Sequence, residues 1–326
     1  MKKLMTGLLA GAMALMAASA ADAQDQLRLQ LKWVPQAQFA GYFVAEAKGF
    51  YDEENLDVTI LPGGPNIAPE QVIAGGGADV IVDWMGGALA AREKGVPLVN
   101  IAQPFKRSGL MLICPKEHNI NSVADFRGKT VGVWFFGNEY PFFAWMNKES
   151  LSTEGGAEGV TVLQQSFDVQ PMIQNQAQCI HVMTYNEFGQ ALDAGYTPED
   201  LTIFNYTELG NDLLEDGLYV MEDTLSDPAK VDAYTRFVRA SMKGWQYALE
   251  NPEEAAQIVV DSDETGAATL EHQTYMMGEV AKLVDPNDPA LDLATYERTA
   301  KALLDQDIIQ NEPSGAYTTV VTDALK

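Results

Sequence analysis

The chain has 326 residues, 47% of them apolar, and a formal net charge of −25. That length exceeds one typical domain and points to two, and the apolar share is enough to build real cores. The acidic balance excludes partners that are themselves polyanions, nucleic acid and anionic membrane surfaces among them.

Residues 1–23 read as an export leader. Lys2 and Lys3 give a positive start, Leu4–Met16 is mostly apolar, and Ala21-Asp22-Ala23 before Gln24 has the small-x-small cleavage pattern, with Ala18-Ser19-Ala20 as an alternative. The apolar run is shorter than the ~20 residues a membrane span needs. No cysteine lies near the cleavage point to take a lipid. The expectation is a soluble, monomeric protein in the periplasm.

Next comes a short β-rich run, Leu27–Leu31, and a loop of rings and amides: Trp33, Gln36, Gln38, Phe39 and Tyr42. An amphipathic helix over Ala40–Lys48 stops at Gly49. It leads to a strand at Val58–Leu61 and a helix at Pro69–Ala74. Gly75-Gly76-Gly77 precedes a strand and reads as a tight turn, not a phosphate cradle. The strand Val80–Asp83 ends on Asp83-Trp84, a carboxylate beside an indole. A helix at Ala88–Lys94 and a strand at Val99–Ala102 follow.

Ser108–Ile113 then carries a glycine into the strand Leu110–Cys114, as a crossing to a second lobe would. After the strand Thr130–Trp134 comes an aromatic loop, Trp134 to Tyr140, with Phe135, Asn138 and Glu139. At least two of its four rings are expected on a ligand. The helix Pro141–Glu149 and the strands Thr161–Gln165 and Ile180–Thr184 lead to Tyr185, Asn186 and Glu187. These open a helix to Ala194. A strand at Thr202–Asn205 precedes Asp216–Met221, whose strand Leu218–Met221 reads as the return crossing.

The rest is helical: Pro228 to about Leu249, a helix from Pro252, Glu271–Leu283 and Leu293–Leu304. This tail has no strand of its own and is expected to pack back on the first lobe. Strands spaced by helices imply an α/β fold, each lobe a mostly parallel sheet flanked by helices. Ligands of such sheets bind outside the carboxyl ends of the strands. Cys114 and Cys179 both lie in strand-like runs. An export route permits a bridge between them, and two buried free thiols are the alternative.

The residues at those strand ends set the chemistry. Trp33, Tyr42, Trp84, Trp134, Phe135 and Tyr185 offer flat apolar rings, and Gln38, Asn138 and Asn186 offer amides. Asp83, Glu139 and Glu187 offer carboxylates. No Lys or Arg falls in residues 33–42, 83–87, 134–140 or 184–187, although Lys106 and Arg107 stand near the first crossing. An oxyanion site usually uses an Arg fork or converging helix N-termini. The pattern therefore favours a neutral or weakly cationic planar molecule. His118, His181 and His272 have no metal-ligand spacing, and no Walker or nucleophile-elbow motif is present. No metal, cofactor or catalytic residue is expected.

The runs KWVPQAQFAGYFVAEAKGFYDEENLDV (residues 32–58), VIVDW (80–84), FRGKTVGVW (126–134) and KGWQYALENPEEA (243–255) carry a resemblance. The chain resembles type II periplasmic solute-binding proteins of ABC importers, in the branch that binds thiamine pyrimidine precursors, riboflavin, nitrate and sulfonates. The resemblance implies a two-lobed Venus flytrap with two hinge crossings and a permease partner. It divides the chain into 1–23 as leader, 24–108 with 222–326 as lobe 1, and 109–221 as lobe 2. In the pyrimidine branch an acidic residue contacts the ligand's amino group, a role that would fall to Glu187. Riboflavin or a sulfonate or nitrate anion are the alternatives. A related pyrimidine synthase of yeast carries a cysteine-rich motif that this chain lacks.

Overall fold

A computed structural model describes residues 24–135 and 137–326. The expected leader and Phe136 lie outside the described residues. All the expected strands form, each within two residues of its expected ends. They are β1 Asp25–Gln30, β2 Leu56–Leu61, β3 Val80–Asp83, β4 Leu98–Ala102 and β5 Leu110–Pro115. They continue as β6 Thr130–Val133, β7 Thr161–Gln164, β8 Cys179–Met183, β9 Leu201–Asn205 and β10 Gly217–Met221. Edge strand β2 alternates, with Leu56 and Val58 buried and Asp57 and Thr59 exposed, whereas β3, β4, β5 and β8 are buried along their whole length. Full burial on both faces is what the inner strands β3, β5 and β8 require between two helical layers, while β4 lies at the edge of its sheet and is covered there by the bridge from Tyr317 to Asn100.

The strands form two five-stranded sheets, ordered β2-β1-β3-β10-β4 and β7-β6-β8-β5-β9. In the first, β1 runs parallel to β2 and β3 (Leu27 opposite Val58, Leu29 opposite Val80), while β10 runs antiparallel to both β3 and β4. In the second, β6 is parallel to β7 and β8, and β5 is antiparallel to β8 and β9. The reversed strand of each sheet is thus the one the chain lays down on arriving from the other lobe. The crossings proper are residues 103–109 and 206–216, just ahead of the glycine-led strands that the sequence marks.

At the crossings the two segments hold each other. The Glu215 carboxyl accepts from the Ser108 hydroxyl and from the Gly109 N–H at 3.2 Å, and Gln103 Nε2 donates to the Glu215 carbonyl at 2.6 Å. Across β5 and β8, Cys114 and Cys179 form a disulfide over a separation of 65 residues. In the chain-entropy account a loop of that length is worth about 4 kcal/mol.

The helices are α1 Ala40–Ala47, α2 Phe50–Glu53, α3 Pro69–Ala74, α4 Met85–Glu93, α5 Tyr140–Lys148, α6 Gln170–Ile173 and α7 Glu187–Asp193. The tail supplies α8 Pro228–Glu250, α9 Pro252–Ser262, α10 Leu270–Val280, α11 Leu293–Leu304 and α12 Val320–Asp323. Asp227 caps α8, accepting from Ala229 N at 2.9 Å, and Pro228 fills its first turn, where the missing N–H leaves nothing unpaired. Helix α8 packs on α1 so closely that both contact positions are glycine. A Cβ on Gly41 would fall 2.2 Å from the Trp245 ring, and one on Gly244 would fall 2.0 Å from the Gly41 carbonyl oxygen. The tail returns to lobe 1 as expected, with one addition: Tyr317 forms a parallel bridge to Asn100 beside β4. Among the described residues no helix is long and apolar enough to cross a membrane.

Candidate functional site

The carboxyl ends of β1, β2 and β3 face those of β6, β7 and β8 across a cavity of about 450 Å³. Lobe 1 lines it from residues 32–38, from Gly64–Gln71 beyond β2, and from Asp83, Trp84 and Gly87. Lobe 2 lines it with Trp134, Asn138, Phe167, Met183 and residues 185–187.

Rings form one wall that spans the lobes. Trp33 of lobe 1 meets Phe167 of lobe 2 with centroids 4.3 Å apart. Phe167 lies nearly parallel to Trp134 at 6.3 Å. Trp134 is fixed by its own Nε1, which donates to the Ser166 carbonyl at 3.1 Å. Beneath Trp33, the Gln36 amide donates to Gln38, and Gln38 Nε2 donates to Asp216 Oδ2 at 2.7 Å.

Carboxyls stand among and behind these rings, with Glu187 and Asp83 in the lining and Asp216 behind Gln38. Burial pushes the Glu187 carboxyl up to about 7, against the pull of its donors Met183 N (3.0 Å) and Asn186 Nδ2 (2.7 Å). Burial raises Asp216 to about 6, despite the Gln38 bond and the field of Lys32. Asp83 is also raised by burial, and Lys32 draws it back, with Nζ 3.4 Å from Oδ1. The same ammonium sits 4.9 Å from the centre of the Trp84 ring. Trp84 is 6% exposed, and its buried Nε1 has no hydrogen-bond partner.

Nine of the expected residues come together here: Trp33, Gln38, Asp83, Trp84, Trp134, Asn138, Tyr185, Asn186 and Glu187. Three do not. Tyr42 is 1% exposed in the core of lobe 1, its ring edge-on to Trp245 at 5.9 Å, because the turn at Ala37–Phe39 starts α1 with that face toward α8. Phe135 packs edge-on against Phe143 at 6.4 Å. Glu139 turns back into its own loop, where Oε2 accepts from Gly137 N at 2.8 Å, a turn that Gly137 permits at φ +94°. Of the described rings in that loop only Trp134 lines the cavity, where at least two were expected.

The wall also contains residues the sequence reading passed over. Phe167 follows β7 and Gly64–Gln71 follows β2, so the strand-end rule, applied to every strand, would have found both. Lys32 stands one position before the loop that was searched for cations. Among the described residues lining the cavity it is the one Lys or Arg, and it is paired to Asp83. The arrangement can stack a flat ring and bond its edges. Among the described residues no group of three or more His, Cys, Asp or Glu is placed to hold a metal ion.

Comparison with known proteins agrees with this architecture. The family model described as NMT1/THI5 like matches residues 36–255. A formylaminopyrimidine-binding protein of Halalkalibacterium halodurans is 24% identical over 92% of this chain and 93% of its own. The riboflavin-binding protein RibY of Chloroflexus aurantiacus is 27% identical over 73% of this chain and 68% of its own. Among solved structures, the periplasmic aliphatic sulphonate binding protein SsuA of Escherichia coli superposes with a TM-score of 0.68 over 89% of this chain and 90% of its own. At 11% identity that likeness speaks for the fold alone.

Proposed function

The chain belongs to the NMT1/THI5-like family, and on that footing we propose that it is the periplasmic substrate-binding component of an ABC importer, with a small planar heteroaromatic amine, first an aminopyrimidine, as its ligand. The observation that carries this reading is Glu187, a buried carboxyl near its half-protonated point, in the wall of a cavity otherwise rich in rings. Such a group can accept from an amine N–H and share a proton with the neighbouring ring nitrogen. An aminopyrimidine edge offers that pair, and its faces suit the Trp33, Phe167 and Trp134 wall.

A free oxyanion suits the cavity less well. Its one ammonium is paired to Asp83, and Glu70 and Glu187 add further acidic groups. Riboflavin is the second reading, since the wall of Trp33, Phe167 and Trp134 would also stack a larger fused ring.

The mechanism is closure. Residues 24–102 with 217–326 move as one body and 110–205 as the other, about the crossings tied by Glu215 and Ser108; the expected boundary at 221 moves back because β10 pairs with β3 and β4 of the first sheet. A ligand touched by both lobes shifts the population toward the closed form, which the permease receives. The protein binds and releases its ligand unchanged.

The test is a titration of tryptophan emission, to which Trp33, Trp84 and Trp134 contribute, with formylaminopyrimidine, riboflavin and an alkanesulfonate. Saturation at one equivalent by the pyrimidine, with the ligand recovered intact, is expected. Saturation by riboflavin alone selects the second reading. A response to the sulfonate alone refutes both, and a released product would make the protein an enzyme.

A further inference from the structure

Helix α10 lies outside the cavity yet reaches across to its recognition carboxyl. It is anchored on the lobe 1 side, where the buried Gln273 accepts from Ala37 N at 2.7 Å. One residue earlier, His272 Nε2 lies 2.8 Å from Asn186 Oδ1 in lobe 2. Asn186 Nδ2 in turn donates to Glu187 Oε1 at 2.7 Å, and Met183 N donates to Oε2 at 3.0 Å. His272 is not part of the cavity wall.

We propose that His272 is a positioning residue for ligand recognition: by donating across the cleft to Asn186 Oδ1 it fixes the orientation of that amide, which holds Glu187 with its free lone pairs toward the ligand's amino edge. The proposal rests on reading the ligand as a heteroaromatic amine.

The geometry leaves the amide little choice. An asparagine side chain presents one acceptor and one donor end, and a carboxylate accepts only. With the imidazole N–H on Oδ1, Nδ2 must face Glu187. Gln190 Nε2, on the same lobe as Asn186, also reaches Oδ1 but at 3.4 Å, so His272 is the closer of its two donors. Without it only that weak contact opposes a turn of the amide that would set its oxygen against the carboxylate, and Glu187 Oε1 is held most firmly while the lobes are together. Closure therefore sharpens recognition of the ring edge as well as trapping the ring.

A neighbouring contact supplies the control. Tyr275 Oη donates to the Thr184 carbonyl at 2.7 Å, joining the same two lobes without touching Asn186 or Glu187. Its loss weakens closure for any ligand. The loss of His272 weakens recognition of the amine specifically.

The experiment measures affinity by calorimetry for formylaminopyrimidine and for its counterpart lacking the ring amino group. Wild type, His272→Ala, His272→Gln and Tyr275→Phe are compared. His272→Ala is expected to weaken the amine ligand about tenfold and the counterpart less than about twofold. His272→Gln, which keeps a donor, should recover most of the difference. Tyr275→Phe should weaken both ligands by one common factor. If His272→Ala lowers both equally, or neither, while the wild type still prefers the amine, the relay is refuted and the proposed ligand class stands. If the wild type shows no preference for the amine, the ligand class fails and the relay falls with it.

Discussion

Glu187 is the residue on which the proposed ligand class rests. Its carboxyl is buried, doubly donated to, and pushed up to about 7. Glu187→Gln keeps the shape and removes the shared proton. We expect it to weaken formylaminopyrimidine binding by about 2 kcal/mol, some thirtyfold. Trp33→Ala removes a ring from the wall and should lose a comparable amount, since stacking on an aromatic side chain is worth ~1–3 kcal/mol. Calorimetric titration checks both, and unaltered affinity in both variants would mean the ligand binds elsewhere. At this scale most of the wall was legible in the sequence, because a residue just past a strand's carboxyl end has few places to go other than the cleft. Tyr42 was not legible, since one short turn before α1 decides which way its ring faces. Lys32 was missed for a related reason. It lies two residues past the end of β1, where the path of the chain and not the strand period sets it beside Asp83 and Trp84.

Elements were read from period and punctuation, and the ten strands and the long α8 follow from patterns that need no knowledge of the partner. What such patterns cannot carry is how closely two elements approach. Gly41 and Gly244 look ordinary in the chain and become necessary only once α1 crosses α8. The obstacle at Gly244 is backbone, the Gly41 carbonyl oxygen at 2.0 Å from a built Cβ, so no side chain can swing aside. Gly244→Ala must push the helices apart and disturb the buried Trp245 beside it. We expect a loss of about 3 kcal/mol, seen as a lower urea midpoint with an unchanged slope. A variant as stable as wild type would show that the helices pack more loosely than drawn.

For the molecule as a whole, stability should depend on pH through groups the fold buries. Burial raises Glu215 to about 8, Glu187 to about 7 and Asp216 to about 6, while it lowers His181 to about 3. A raised carboxyl means that the folded state holds a proton the unfolded chain has already released. Stability from these three groups therefore rises as pH falls from about 8 toward the ordinary carboxyl range. His181 and His272, both lowered by burial, oppose this as the pH nears 6.5 and falls below it, where the unfolded chain takes up protons that the folded rings resist. Between pH 8.5 and 6.5 the carboxyls outweigh them, so the melting temperature should climb as the solution is acidified. Glu215→Gln should flatten that climb, and calorimetric scans across the range would expose a flat or reversed wild-type profile. The sheet order carries a consequence for biogenesis. Strand β10 sits between β3 and β4 but is encoded after every strand of the other sheet. A polypeptide that is made amino end first thus delivers β1 to β4 with a slot left vacant in their middle. Until residue 217 emerges, β3 and β4 keep raw edges, while the second sheet already has all its parts. The half that starts first is the half that matures last, and that interval is when a chaperone would have most to protect.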